Sequence, residues 1–146
     1  MKYLLAHDIG TSANKAVLYD TEGNLVSSKL AEYPLYSRPG GFAEQNPEDW
    51  WRAVKDTTRA LIADAGALGI SPRDIAAVSF SGQMMGCVCV DKSGAPLRPA
   101  MIWADMRATA EEAALAEKIS PREYFRLTGH RLSSAYSALK LMWLKS

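Results

Sequence analysis

Apolar and polar positions divide this chain into short strand-like runs at the start and helical runs further on. Residues 3–9 are apolar, and 15–19 repeat the pattern after a polar, glycine-containing connection. Asp20-Thr21-Glu22-Gly23-Asn24 reads as a turn, since Gly and Asn tolerate positive φ. Residues 25–33 then return with partial alternation. Three such runs predict an antiparallel meander. Residues 34–46 contain Pro34, Pro39 and adjacent Gly40-Gly41, and read as a loop.

At Asn46-Pro47-Glu48-Asp49 the pattern changes to a helix start: a capping side chain, Pro in the first turn, then acids at the positive end of the dipole. Trp50, Trp51, Val54, Thr58, Leu61, Ile62 and Ala65 share one face at helical spacing, with Gly66 or Gly69 as the stop. Paired Trp50 and Trp51 are expected in the core. Residues 75–81 predict a buried strand and 85–90 another, closed by the turn Asp91-Lys92-Ser93-Gly94. A further short strand is expected at 100–103, and an Ala- and Glu-rich helix at 109–119. Ser120-Pro121-Arg122-Glu123 repeats the cap-plus-Pro signal. Residues 136–146 predict a last helix with no Gly, Asn or Pro terminator, as expected of a chain cut inside a longer domain or of a fraying C-terminal helix.

Composition narrows the function classes. An apolar content of 48% with 23% charged residues is that of a globular domain. Seventeen basic against sixteen acidic residues give a net charge of +1 with no basic stripe, which speaks against nucleic acid or an anionic membrane as partner. No apolar run is long enough to span a bilayer, and His7 and Asp8 interrupt the N-terminal one, so a cytoplasmic location is expected. Cys87 and Cys89 stand two apart and are expected to be reduced, half-buried thiols.

Three segments carry candidate chemistry. In Asp8-Ile9-Gly10-Thr11-Ser12, Gly10 permits close backbone approach to a ligand, Thr11 and Ser12 offer hydroxyls and amides to phosphate oxygens, and Lys15 adds positive charge. Asp8 suits the hydrated magnesium that accompanies a nucleotide. In Ser81-Gly82-Gln83-Met84-Met85-Gly86, a sharp loop presents an amide able both to donate and to accept, with thioethers beside it. In Ile102-Trp103-Ala104-Asp105-Met106-Arg107, an indole suits sugar C–H bonds and a carboxylate suits hydroxyls. Each has a plainer reading: a polar hairpin turn, a tight turn with Met in the core, and an Asp–Arg ion pair beside a Trp.

The order of these motifs resembles the FGGY carbohydrate kinases. Asp8-x-Gly10-Thr11-Ser12 is followed by Gly40-Gly41-x-x-Glu44-Gln45-Asn46-Pro47-x-x-Trp50-Trp51, then Ser81-Gly82-Gln83-Met84. Pro99-Ala100-Met101-Ile102-Trp103-x-Asp105-x-Arg107, Thr128-Gly129 and Lys140-Leu141-x-Trp143-Leu144 continue the match over the whole chain, which looks closest to the xylulokinase branch. The resemblance implies an α/β fold of the ribonuclease-H-like (actin/hexokinase/Hsp70) type, a mixed sheet with an antiparallel meander and flanking helices. It implies an N-terminal domain fragment of an enzyme that phosphorylates a sugar or polyol with ATP and Mg2+, a pentulose such as xylulose being the expected acceptor. It also implies a small-molecule partner and a homodimer at full length.

Carried over by position, Asp8 lies on the Mg-ATP side as catalytic and indirect magnesium residue, with Gly10, Thr11, Ser12 and Lys15 on the phosphates. Gln83, Met84, Met85, Trp103, Asp105, Arg107 and Tyr136 are the expected sugar-binding residues. The family's general base falls beyond residue 146, so the fragment alone is expected to be inactive. Met85 stands where the xylulokinase pattern commonly has His, and Met cannot donate a hydrogen bond, which leaves the sugar open. A non-catalytic actin-like assembly module is the alternative from another class. A hexokinase-like or acetyl-sugar kinase explains the Asp8 motif only.

Overall fold

The computed structural model describes residues 1–146, which resolve into two compact units. The first comprises 1–35 and 47–83, the second 36–46 and 84–146.

In the first unit, β1 (Tyr3–Ile9), β2 (Ala13–Asp20) and β3 (Leu25–Glu32) form the expected antiparallel meander. The strand β6 (Ile75–Gly82) adds to β1 in parallel, giving the order β3-β2-β1-β6 and a mixed sheet. Helix α1 (Pro47–Ala67) packs on β2 and β3. The core lies beneath it: Leu5, Ala16, Leu18, Leu61 and Ala65 are buried together. Alternation in β1 and β2 explains this, because Leu5, His7, Asn14, Ala16 and Leu18 all turn one way.

The start of α1 falls at Pro47, with Glu48 and Asp49 in its first turn. It ends in a Schellman arrangement: Ile70 N–H donates to Ala65 O at 2.9 Å and Gly69 N–H to Gly66 O at 3.0 Å, with Gly69 at φ 75°. Its buried stripe is Asp49, Ala53, Val54, Thr57, Leu61 and Ala65. The predicted stripe is therefore rotated. Trp51, expected in the core, is exposed, and Lys55 Nζ sits 5.7 Å from its ring. A helical period alone does not fix which edge of a broad apolar arc meets the sheet.

The second unit holds a small sheet, β4 (Tyr36–Arg38), β5 (Phe42–Gln45) and β7 (Ala100–Met101), in the order β4-β5-β7. The first two form a hairpin within the expected 34–46 loop, since positive φ at Gly40 (90°) and Gly41 (79°) lets the chain reverse between Arg38 and Phe42. Gly41 is also crowded: a Cβ there would lie 3.0 Å from the Met106 carbonyl carbon. The predicted 85–90 strand is absent. That segment makes isolated bridges from Cys87 to Met101 and from Val90 to Pro96, two different partners, so no continuous ladder forms, and Met85 at its start has positive φ. Cys87 and Cys89 are half-buried free thiols, and burial, with Cys89 beside it, pushes the Cys87 thiol up.

Three helices complete this unit: α2 (Thr109–Ala116), α3 (Pro121–Thr128) and α4 (Ser137–Lys145). The capping prediction for α3 holds, with Ser120 Oγ accepting from Glu123 N–H at 3.2 Å and Gly129 ending the helix in the left-handed conformation. No helix is long and apolar enough to cross a membrane.

Candidate functional site

The ends of β1 and β6 bring two of the predicted motifs together in the first unit. Parallel pairing sets Asp8 beside Ser81 and Ile9 beside Gly82, and Gln83 N–H donates to Ile9 O at 2.9 Å. The backbone of Gln83 is thus fixed one residue from Gly10. Asp8 and Lys15 pair directly across β1 and β2, so both exposed side chains leave the same face of the sheet, opposite the buried Leu5 and His7. Lys15 belongs to the strand β2, directly across from Asp8 in the ladder, rather than to the turn.

The β1–β2 turn is closed by Gly10 N–H donating to Ala13 O at 3.0 Å, and a Cβ on Gly10 would come within 3.3 Å of that oxygen. Tyr33, which sequence reasoning missed, braces it. The phenol donates to Gly10 O at 2.5 Å and Tyr33 N–H donates to Ser12 O at 3.2 Å. Burial, and then the Asp8 charge, push the Tyr33 phenol up to about 12, so it stays a donor at neutral pH. A small, braced turn with hydroxyls at Thr11 and Ser12 and a carboxylate at Asp8 fits the phosphate and hydrated-metal side of a nucleotide.

Behind this turn runs a polar seam beneath α1. Asn14 Nδ2 donates to Thr57 Oγ1 at 2.8 Å and lies 3.1 Å from His7 Nδ1, while His7 Nε2 lies 3.2 Å from Thr58 Oγ1. An Nδ1 acceptor and an Nε2–H donor satisfy both contacts, which assigns the neutral tautomer. Burial lowers the His7 pKa.

In the second unit, Met84, Met85, His130, Tyr136, Tyr124 and Ser137 line a cavity of about 400 Å³. Tyr136 was expected here; His130 and Tyr124 were not. The His130 ring lies 4.8 Å from that of Tyr136. The available signal was Thr128-Gly129, whose left-handed glycine ends α3 and directs the chain through His130. Trp103 is 43% exposed and lies outside this lining.

Asp105 and Arg107 occupy a different place from the one expected. Asp105 is fully buried and accepts from Arg107 Nε at 2.9 Å, from Arg107 NH2 at 2.5 Å and from Ala43 N–H at 2.8 Å. Burial alone would raise its pKa, but Arg107 and the backbone donors hold the carboxyl below its ordinary value. Arg107 also donates to Glu44 at 2.7 Å, and its guanidinium carbon lies 3.9 Å from the Phe42 ring centre and 4.8 Å from that of Trp143. The plainer reading, an ion pair beside a Trp, is the one realised, with Trp143 as the partner. These two residues hold β5 to the 105–107 segment and present no open surface to a sugar.

Comparison with known proteins identifies the family. Residues 3–146 match the N-terminal domain of the FGGY family of carbohydrate kinases. The chain is 34% identical over 145 residues to the xylulose kinase of Bacillus subtilis (strain 168), covering 99% of this chain and 28% of that protein. It is 32% identical to the gluconokinase of the same organism, covering 97% of this chain and 27% of that protein. The ligand-bound xylulose kinase structure from Lactobacillus acidophilus superposes with a TM-score of 0.87 at 31% identity, over 100% of this chain and 29% of its own. The chain thus spans under a third of the length of these relatives. With the braced Asp8 turn, the mixed sheet and this match along its length, the chain belongs to the FGGY family of carbohydrate kinases.

Proposed function

We propose that this chain is the N-terminal part of a cytoplasmic kinase that transfers phosphate from ATP to a hydroxyl of a sugar or polyol. The single observation that best supports this reading is the Asp8 turn: an exposed carboxylate at a strand end, opposite Lys15, beside a glycine turn braced by Tyr33. Asp8 orients the hydrated magnesium that accompanies ATP, and Gly10, Thr11 and Ser12 contact the phosphates, with Lys15 adding positive charge to the same face. Magnesium, when bound, neutralises phosphate charge. Gln83, Met84, Met85, Trp103 and Tyr136 contact the sugar. Catalysis in such a site is positioning and charge neutralisation, so the residues of this chain orient groups rather than remove the acceptor's proton. The general base lies in the remainder of the protein, and a homodimer is the expected assembly.

For the acceptor we infer a pentulose such as xylulose, on the likeness to xylulose kinases. Gluconate is the second reading. It is favoured by the gluconokinase relative, while Met85, which cannot donate where the xylulokinase pattern commonly has His, removes one contact expected of a xylulose site. The test is a coupled ATP assay on the full-length protein with xylulose, gluconate and glycerol, beside the isolated 146-residue chain. Turnover with xylulose only by the full-length protein is expected. No turnover with any acceptor would sink the kinase reading, and turnover by the isolated chain would sink the placement of the base.

A further inference from the structure

Met85 is the one non-glycine residue of the chain with positive φ, at 61°. An L side chain rarely adopts that conformation, and it persists only where surrounding structure holds it. The holding groups come from α4 and the residues before it. Lys140 Nζ donates to Met85 O at 3.0 Å and also to Ala135 O, and Ser137 Oγ donates to Gly86 O at 3.1 Å. Lys140 is fully buried and forms no ion pair within 4.0 Å; its ammonium is satisfied by carbonyl oxygens.

A buried ammonium without a carboxylate partner is a poor way to stabilise a fold, since a Met or Leu of similar volume would fill the space without desolvation cost. Burial pushes the Lys140 ammonium below the ordinary lysine range, opposed by Asp105 and Cys87. What the charge supplies that an apolar side chain cannot is a directed bond to the carbonyl of a strained residue. That residue and Met84 line the cavity shared with His130 and Tyr136.

We propose that Lys140 is a positioning residue for the sugar site: it holds the Met85 carbonyl so that Met84 and Met85 form a fixed wall of the cavity, and it thereby sets sugar affinity. The proposal rests on the sugar-kinase reading above, and its test separates the two. In the full-length protein, Lys140→Met raises the KM for the sugar by about tenfold or more, since small misplacements of binding groups cost up to about 100-fold. The KM for ATP stays within about twofold, as expected where only contacts to one substrate are lost. Leu139→Ala, next along the same helix and also fully buried, lowers the melting temperature without this KM change. Glycine adopts positive φ unaided, so in a Met85→Gly background the same Lys140→Met change moves the sugar KM by less than about threefold.

An unchanged sugar KM overturns the proposal, as does an equal effect in both backgrounds. Lys140→Gln keeps an N–H donor and serves the same comparison if Lys140→Met does not fold; failure of both to fold assigns the ammonium to stability and also overturns it. If the wild-type protein phosphorylates no acceptor, the kinase reading fails, and Lys140 is then judged by methionine methyl NMR. The Met84 and Met85 signals move in Lys140→Met while that of Met1 does not; unmoved Met84 and Met85 signals overturn the proposal.

Discussion

The phenol of Tyr33 donates to the carbonyl oxygen of Gly10 at 2.5 Å, tying the end of β3 to the turn that follows Asp8. This bond links a buried residue to the turn proposed to contact phosphate, and its consequence is measurable. Tyr33→Phe keeps the ring and removes the donor. A net hydrogen bond is worth about 0.5–1.5 kcal/mol, so the KM for ATP is expected to rise by roughly two- to tenfold while the sugar KM stays put. Steady-state kinetics on the full-length protein check this; an unchanged KM for ATP would show that the turn is rigid without its brace.

The neutral His7 makes stability depend on pH. Its folded pKa is lowered from 6.5, so the unfolded chain binds the proton more tightly. The stability that His7 contributes is present above the unfolded value and is lost as pH falls from there through the folded value. Urea denaturation at a series of pH values below neutrality should show this decline, and it should flatten in His7→Gln. A variant with the wild-type slope would assign the decline to other groups.

Asp105 and Arg107 predict a stability effect. Removing one partner of a buried ion pair leaves an uncompensated charge, so Asp105→Ala should cost about 3–5 kcal/mol. Arg107→Leu in that background should recover part of the loss, because both charges are then gone. Thermal denaturation reads this cycle, and additive losses would contradict the coupling the geometry indicates.

The outer strand β6 predicts behaviour of the isolated chain. Val78 is 53% exposed and Phe80 57% exposed, although their neighbours Leu5 and His7 on β1 are buried, because α1 covers β2 and β3 and leaves β6 bare. An apolar edge strand is a template for pairing with another chain. The isolated 146-residue chain should therefore associate with rising concentration, and Val78→Lys should suppress it. Sedimentation velocity decides, and a monomeric wild-type chain at all concentrations would refute it.

Several features of this protein were legible in order and type along the chain. The meander, the start of α1 at Pro47, the cap at Ser120 and the FGGY assignment all rest on local signals: alternation, a proline after a capping side chain, and motifs in a fixed order. Such signals need no knowledge of distant partners. Tertiary structure alone decided which face of α1 is buried, since the sheet selects one edge of a broad apolar arc and leaves Trp51 outside. It turned Asp105 and Arg107 inward, because Glu44, Phe42 and Trp143 reach them from segments up to 65 residues away. It also brought Tyr33 onto Gly10 and Lys140 onto Met85, contacts that join residues 23 and 55 positions apart. A side chain's identity states what bonds it can make; only the folded chain determines which partner arrives, and hence whether an Asp, Arg or Lys serves a ligand or the frame that holds one.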